Sequence, residues 1–300
     1  MKVEAPIAKK VHKELEKHGD VRQDPYFWLN QREDKEVIQY LEDENAFFDA
    51  EMAHTKDFQK SLFQEMKSRI KEDEESVPYK HNGYWYISKY VKGGDYPVYT
   101  RKKGTLDAEE EIVLDGNKEA EGHEYFKARS LSVSPDNKYL AYGEDTVGRR
   151  EYVIRIKNLE TGEYFSEKIE DTTGSTTWAN DNKTLFYTNK EQETLRSYQI
   201  KKHVLGTAVE DDVVVYEEED DTFDVFVYKT KSQKFICIGS SATLTSEYRF
   251  IDANTPNGDF QIFQERIRGL EYGMAHYNGC LLYTSPSPRD GATSRMPSSA

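Results

Sequence analysis

The feature that most constrains this chain is an internal repeat whose period of ~50 residues is that of a propeller blade or solenoid unit. Four segments open on tyrosine and close in a polar turn. They are YPVYTRKKG from Tyr96, YVIRIKNLETGE from Tyr152, YQIKKHVLGT from Tyr198 and YRFIDANTPNGD from Tyr248, spaced by 56, 46 and 50 residues. A second set precedes them in phase: HNGYWYISKY from His81, SPDNKYLAYGED from Ser134, ANDNKTLFYTNK from Ala179 and KSQKFICIGSS from Lys231. Each period thus holds a polar turn, a strand, a loop and the tyrosine strand. One such unit cannot bury its apolar face alone, so neighbours must stack on it. Blades of four short strands around a central channel fit the period, and a mainly β fold, a β-propeller, is expected. A β-sandwich is the alternative that the repeats leave open.

Composition supports strands. Among 300 residues there are 21 tyrosines and 14 phenylalanines, with 36% hydrophobic and 32% charged residues. So many aromatics argue against a disordered chain and suit a pleated surface. The formal charge of −14 argues against nucleic acid or an anionic membrane as partner, because both need basic surface. It suits basic substrates, and equally plain solubility. No apolar run approaches the ~20 residues of a membrane span. The opening MKVEAPIAKKVHKELEKHGD has no apolar core behind its lysines, so it does not read as a signal peptide. With only Cys237 and Cys280, no disulfide scaffold is expected, and the location expected is cytoplasmic.

Ahead of the repeats, residues 33–72 read as helix. Val37, Leu41, Phe48 and Met52 form one stripe at three-to-four spacing, and Phe58, Leu62, Met66 and Ile70 form another. Thr55 is the expected N-cap of the second helix, after a break near Ala53-His54. Asp24-Pro25 favours an extended entry. The domains expected are a helical arm over 1–76 and antiparallel sheets over 77–279. From Cys280 the text turns to CLLYTSPSPRDGATSRMPSSA, dominated by Ser, Pro, Thr and Ala. Codons for CLLYTSPSPRD and SRMPSSA resemble the two ends of a sequencing adapter, with Gly291, Ala292 and Thr293 over the variable index between them. Residues 280–300 are therefore expected to be unstructured, with the natural chain running on past Gly279.

The chemical inventory is mostly negative. There is no Gly-x-Ser-x-Gly elbow; Gly239-Ser240-Ser241 lacks the second glycine and reads as a turn after a strand. The histidines offer neither H-E-x-x-H nor a helical ligand pair, so no metal and no cofactor is expected. The acidic run Glu217–Asp221 lacks a calcium-loop pattern and reads as a solvated inter-blade loop. Ser134-Pro135-Asp136-Asn137 reads as a tight turn, repeated at Ala179-Asn180-Asp181-Asn182. No catalytic residue is identified. What survives is Glu124 with Arg149 and Arg150. The segment DTVGRREY sets two guanidinium groups on a loop, where they can clamp carboxylates across an interface or simply be solvated.

These stretches resemble the prolyl oligopeptidase family of serine peptidases, in its oligopeptidase B branch. The match runs through HGDVRQDPYFWL (18–29), YLEDENAF (40–47), MAHTKDFQKSLFQEMKSRIKEDEESVPY (52–79), NGYWYISKY (82–90), VSPDNKYLAY (133–142), DTVGRREY (145–152), VYEEEDDTFDV (215–225) and TLTSEYRFIDA (243–253). The resemblance implies about four of seven propeller blades behind a helical arm, without the family's α/β-hydrolase domain. It implies a parent enzyme that hydrolyses short basic peptides after Arg or Lys, and a propeller that gates substrate size and contacts its own C-terminal hydrolase domain. This chain alone is then expected to be inactive. Glu124, Arg149 and Arg150 are expected at that domain contact. A proline-specific oligopeptidase and a non-enzymatic propeller scaffold are the alternatives.

Overall fold

The computed structural model describes residues 4–284. The chain divides into two compact units, Met1–Lys71 and Glu72–Ala300.

In the first unit, β1 (Glu14–Lys17) and β2 (Asp20–Gln23) form a hairpin around His18-Gly19, an element the sequence reading did not include. Helix α1 (Lys35–Met52) starts at Asp34, whose carboxylate accepts the Glu36 amide and satisfies one orphan donor. Helix α2 (Lys56–Ser68) follows a 3-10 turn at Ala53–Thr55. Thr55 occupies the cap position with helical dihedrals, and its hydroxyl donates backwards to the Met52 carbonyl. It therefore does not cap α2: the chain passes from helix to helix without leaving helical conformation. Helix ends at Ser68 rather than residue 72. Of the two apolar stripes, Val37 is buried, whereas Phe48, Phe58, Met66 and Ile70 are all exposed.

The second unit is a succession of antiparallel sheets. The first contains β3 (Tyr79–His81), β4 (Tyr84–Lys89), β5 (Val98–Lys103) and β6 (Glu110–Asp115), followed by the single turn α3 (Gly116–Glu119). Next come β7 (Lys127–Val133), β8 (Tyr139–Asp145), β9 (Tyr152–Asn158) and β10 (Tyr164–Trp178), then β11 (Thr184–Lys190), β12 (Ser197–Val204) and β13 (Val213–Glu217), joined in one seven-stranded sheet. The long β10 makes it two blades. Its first half pairs with β9 and its second with β11, bending where Asp171 and Gly174 take positive φ. The fourth blade contains β14 (Asp224–Lys229), β15 (Phe235–Ala242), β16 (Thr245–Asp252) and β17 (Gln261–Gln264). A hairpin of β18 (Gly273–Tyr277) and β19 (Cys280–Thr284) follows. The chain is thus mainly β, a run of four propeller blades behind helices. Pairing begins early, with Ser76 donating to the Ser88 carbonyl and Tyr90 to that of Glu74. That is why the boundary between compact units falls before Glu72 rather than at 76.

Three apolar clusters hold the blades together. Leu114, Leu140 and Tyr142 lie between blades one and two. Ile154, Ile169, Leu185 and Tyr187 lie between two and three; Phe186, Ile200, Val227 and Ile238 lie between three and four. Along β11 Leu185 and Tyr187 serve one cluster and Phe186 the next, because successive strand residues face opposite ways and both faces are covered. At the turn into the second strand of each blade, one non-glycine residue takes positive φ: Asn82 (46°), Asn137 (66°), Asn182 (61°), Gln233 (62°) and, in the final hairpin, Asn278 (48°). Asn carries this well because its short polar side chain tolerates the left-handed region. These turns also bind one another. Asn82 donates to the Pro135 carbonyl, the Asp136 amide donates to Asn182, and Asn180 donates to the Gln233 carbonyl.

Two local expectations need correction. Gly239-Ser240-Ser241 is not a turn but the middle of β15, paired to β14 and β16. Glycine is needed there because the Phe226 ring lies across it, 2.2 Å from where a Cβ would stand. Cys280–Thr284 is not structureless either; it pairs with β18 from Tyr277↔Cys280 to Gly273↔Thr284. Asn278 and Gly279, both with positive φ, supply the two-residue hairpin turn, and the run that follows has strand propensity whatever its origin. Residues 285–300 lie outside the described residues.

Candidate functional site

The two loops singled out in the sequence meet at one end of the second blade. Residues 146–151 join β8 to β9. Their shape is dictated by Asp145, a buried carboxylate at the end of β8. It accepts backbone amides from Val147 (2.9 Å), Gly148 (2.8 Å) and Arg150 (2.8 Å). Three amides on one carboxylate fold the loop tightly, and Arg150 consequently takes φ of 60°. Glu124 lies in the connection from α3 to β7. The next residue, Tyr125, lays its ring against Gly148, with ring atoms 3.5 Å from a hypothetical Cβ there. Lys190, at the end of β11, donates to the Arg150 carbonyl at 2.5 Å. Burial pushes its ammonium below the ordinary lysine range, and Arg129 and Arg150 push the same way against Glu151 and Asp145.

Glu124, Arg149 and Arg150 are thus on adjoining loops, and all three side chains are exposed. Among the described residues, none of the three makes an ion pair or a side-chain hydrogen bond. They do not pair with each other. The Arg150 backbone is held by Asp145 and Lys190, and the three side-chain charges are exposed to solvent.

The acidic run differs from the solvated loop expected. Glu218 is buried and accepts Arg266 (2.5 Å), the Ser240 hydroxyl (2.5 Å), the Tyr216 hydroxyl (2.7 Å) and the Asp220 amide (3.1 Å). Arg196 donates to the carbonyls of Glu218, Asp220 and Phe223. Arg266 lies over the Phe223 ring at 3.7 Å. The run is an anchored inter-blade connection, with only its flanking carboxylates in water. Sequence reasoning missed Glu218 and Arg266 because 48 residues separate them. Asp145 had a readable signal: Asp followed by Gly three residues on favours a side-chain-to-backbone turn.

A hydrogen-bonded His–Asp pair, His203 Nδ1 with Asp212 at 2.7 Å, sits fully buried. Tyr187 donates to the same carboxylate at 2.8 Å. His203 Nε2, where a general base would face its nucleophile, has no hydrogen-bond partner; the pair is part of the core. No group of three or more His, Cys, Asp or Glu residues able to hold a metal occurs among the described residues.

The sequence matches the family profile described as prolyl oligopeptidase, N-terminal beta-propeller domain, over residues 5–295. The chain belongs to the prolyl oligopeptidase family. Among this family, dipeptidyl aminopeptidase BI of Pseudoxanthomonas mexicana is 42% identical over 90% of the chain and 40% of its own length. Protease 2 of Moraxella lacunata is 38% identical over 92% of the chain and 41% of its own length. The solved structure of oligopeptidase B from Leishmania major superposes with a TM-score of 0.88 at 29% identity, covering 95% of this chain and 43% of that one. The chain spans about two fifths of the length of the curated relatives it matches.

Proposed function

We propose that this chain is the arm and propeller portion of a cytoplasmic serine oligopeptidase that hydrolyses short peptides after Arg or Lys, and that it is inactive by itself. In this reading a hydrolase domain absent from the 300 residues supplies the serine, histidine and aspartate. The propeller limits substrate size and meets that domain through the loops carrying Glu124, Arg149 and Arg150. The observation that carries the reading is the superposition on oligopeptidase B along nearly the whole chain; three exposed charges on adjoining loops, without ion pairs among the described residues, support the proposed contact. The negative charge of −14 favours the approach of cationic peptides. A second reading is supported by the 42% identical relative, which is named a dipeptidyl aminopeptidase: removal of dipeptides from a free N-terminus. The full-length parent decides between them. Fluorogenic substrates ending in Arg, Lys or Pro, each with a blocked or free N-terminus two residues upstream, are compared by kcat/KM. Preference for Arg and Lys with a blocked N-terminus supports the reading; preference for Pro, or a strict need for a free N-terminus, overturns it.

A further inference from the structure

Arg150 keeps a backbone conformation that its own side chain disfavours. Within residues 146–151, Gly148 and Arg150 take positive φ, 86° and 60°. Glycine does so freely, whereas a residue with a Cβ is strained there and persists only where its surroundings over-determine it. Arg150 is gripped at both ends of its backbone. Its amide donates to Asp145 Oδ2 at 2.8 Å, and its carbonyl accepts Lys190 Nζ at 2.5 Å. Asp145 ends β8, in the same blade; Lys190 ends β11, in the next one. With N–H and C=O both held, the direction in which Cβ leaves the backbone is set as well. Two grips therefore aim the Arg150 side chain, and one of them comes from outside its own blade.

Lys190 is a firm anchor for that grip. The strand beneath it is buried from Thr184 to Asn189, and Asn189 donates to the Asp171 carbonyl at 2.8 Å. The loop that follows ends on Arg196, whose guanidinium donates to the carbonyls of Glu218, Asp220 and Phe223 in the connection to blade four. Lys190 itself is half-buried. Glu151 attracts its ammonium, yet among the described residues Lys190 makes no ion pair, and its hydrogen bond goes to the Arg150 carbonyl. A charged donor makes that bond stronger than one between neutral groups.

We infer that Lys190 is a positioning residue for Arg150: by holding the Arg150 carbonyl it sets the direction of the guanidinium, so that closure on a hydrolase domain depends on blade three as well as blade two. The inference rests on the interdomain reading of Arg150 and deepens it. The contact is then a clasp across the junction of two blades, and a change at that junction re-aims the charge that meets the partner domain.

The test compares Arg150→Ala, Lys190→Met, their double variant and Lys190→Arg in the full-length parent, with an arginine amide substrate. Methionine keeps a long unbranched stem and removes the donor; Lys190→Gln is the second variant should Lys190→Met fail to fold. Lys190→Met is expected to match the loss in kcat/KM of Arg150→Ala, up to about tenfold, with an unchanged melting temperature. The double variant is expected to lose no more than the worse single variant, because both act on one contact. Lys190→Arg, which keeps a charged donor, is expected to retain activity. Amide exchange should quicken within 147–151 in Lys190→Met and stay as in wild type along β8 and β9. A lysine that only stabilises the fold would instead lower the melting temperature, and its effect would multiply with that of Arg150→Ala. Impaired Arg150→Ala beside wild-type kinetics in Lys190→Met, a double variant that loses the product of both singles, or unchanged exchange within 147–151 overturns this inference alone. Wild-type kinetics in Arg150→Ala overturns the reading on which it rests, and the inference with it.

Discussion

Replacing Glu218 by glutamine probes the anchor of the inter-blade connection while keeping the side chain's size. Glu218 is 5% exposed and its partner Arg266 27% exposed. Burial by itself pushes the carboxyl up, but the hydrogen bonds from Arg266, Ser240, Tyr216 and the Asp220 amide outweigh it and bring the group from 4.5 down to about 2. At 1.36 kcal/mol per unit this corresponds to about 2–3 kcal/mol of stability, the lower figure allowing for solvent around Arg266. The substitution also strands Arg266 beside a neutral group, with Glu247 3.7 Å away as its remaining carboxylate. A folded-state value below the unfolded one gives stability that is fully present above about 4.5 and is lost as pH falls toward about 2. Urea unfolding of wild type and Glu218→Gln at pH 7, 4 and 3 should therefore show a gap of about 2–3 kcal/mol at pH 7 that narrows on acidification. A gap under ~0.5 kcal/mol at pH 7, the scale of an ordinary surface substitution, or one independent of pH, would refute the reasoning.

Other consequences are equally concrete. Gly143→Ala sets a Cβ 2.4 Å from the Gly174 Cα, a backbone clash that should destabilise by about 1–3 kcal/mol in thermal melts. Asp145→Ala removes the acceptor of three amides and leaves them to solvent; proteolysis should cut within 146–151 faster than in wild type. In the full-length parent, Arg150→Ala should lower kcat or raise KM by up to about tenfold with little change in melting temperature, and added salt should mimic it by screening; unchanged kinetics and salt dependence would return Arg150 to a solvated loop.

What could be read from sequence follows the burial of each strand. The tyrosine series falls on the third strand of every blade (β5, β9, β12 and β16), and the turn-and-strand series on the second (β4, β8, β11 and β15). These two are the central strands of each blade, every one with buried residues, and their composition carries the repeat. First and fourth strands sit at blade edges with mixed lining: Tyr79–His81 is exposed throughout and Gln261–Gln264 nearly so, so neither alternates clearly. Arg149 and Arg150 were legible as loop charges from DTVGRREY and Glu124 from GHEYF, but the scaffold beneath them was only partly so. Asp145 acts through adjacent residues and could be inferred; the bond from Lys190 to the Arg150 carbonyl spans 40 positions and left no trace in local pattern. Ser240 misled for the opposite reason. Gly-Ser-Ser is turn chemistry in isolation, and only the Phe226 ring above Gly239 and the Glu218 carboxylate below Ser240 explain its place in a strand.

The central claim is that this chain contributes architecture to a serine oligopeptidase and holds none of its reacting groups. Labelling with a fluorescent serine-directed phosphonate, on equal amounts of the 300-residue chain and the full-length parent, tests it most directly. The account predicts stoichiometric labelling of the parent and none of the chain, which also shows no turnover of an arginine amide substrate. Labelling or turnover by the chain alone, or an unlabelled parent, would contradict it.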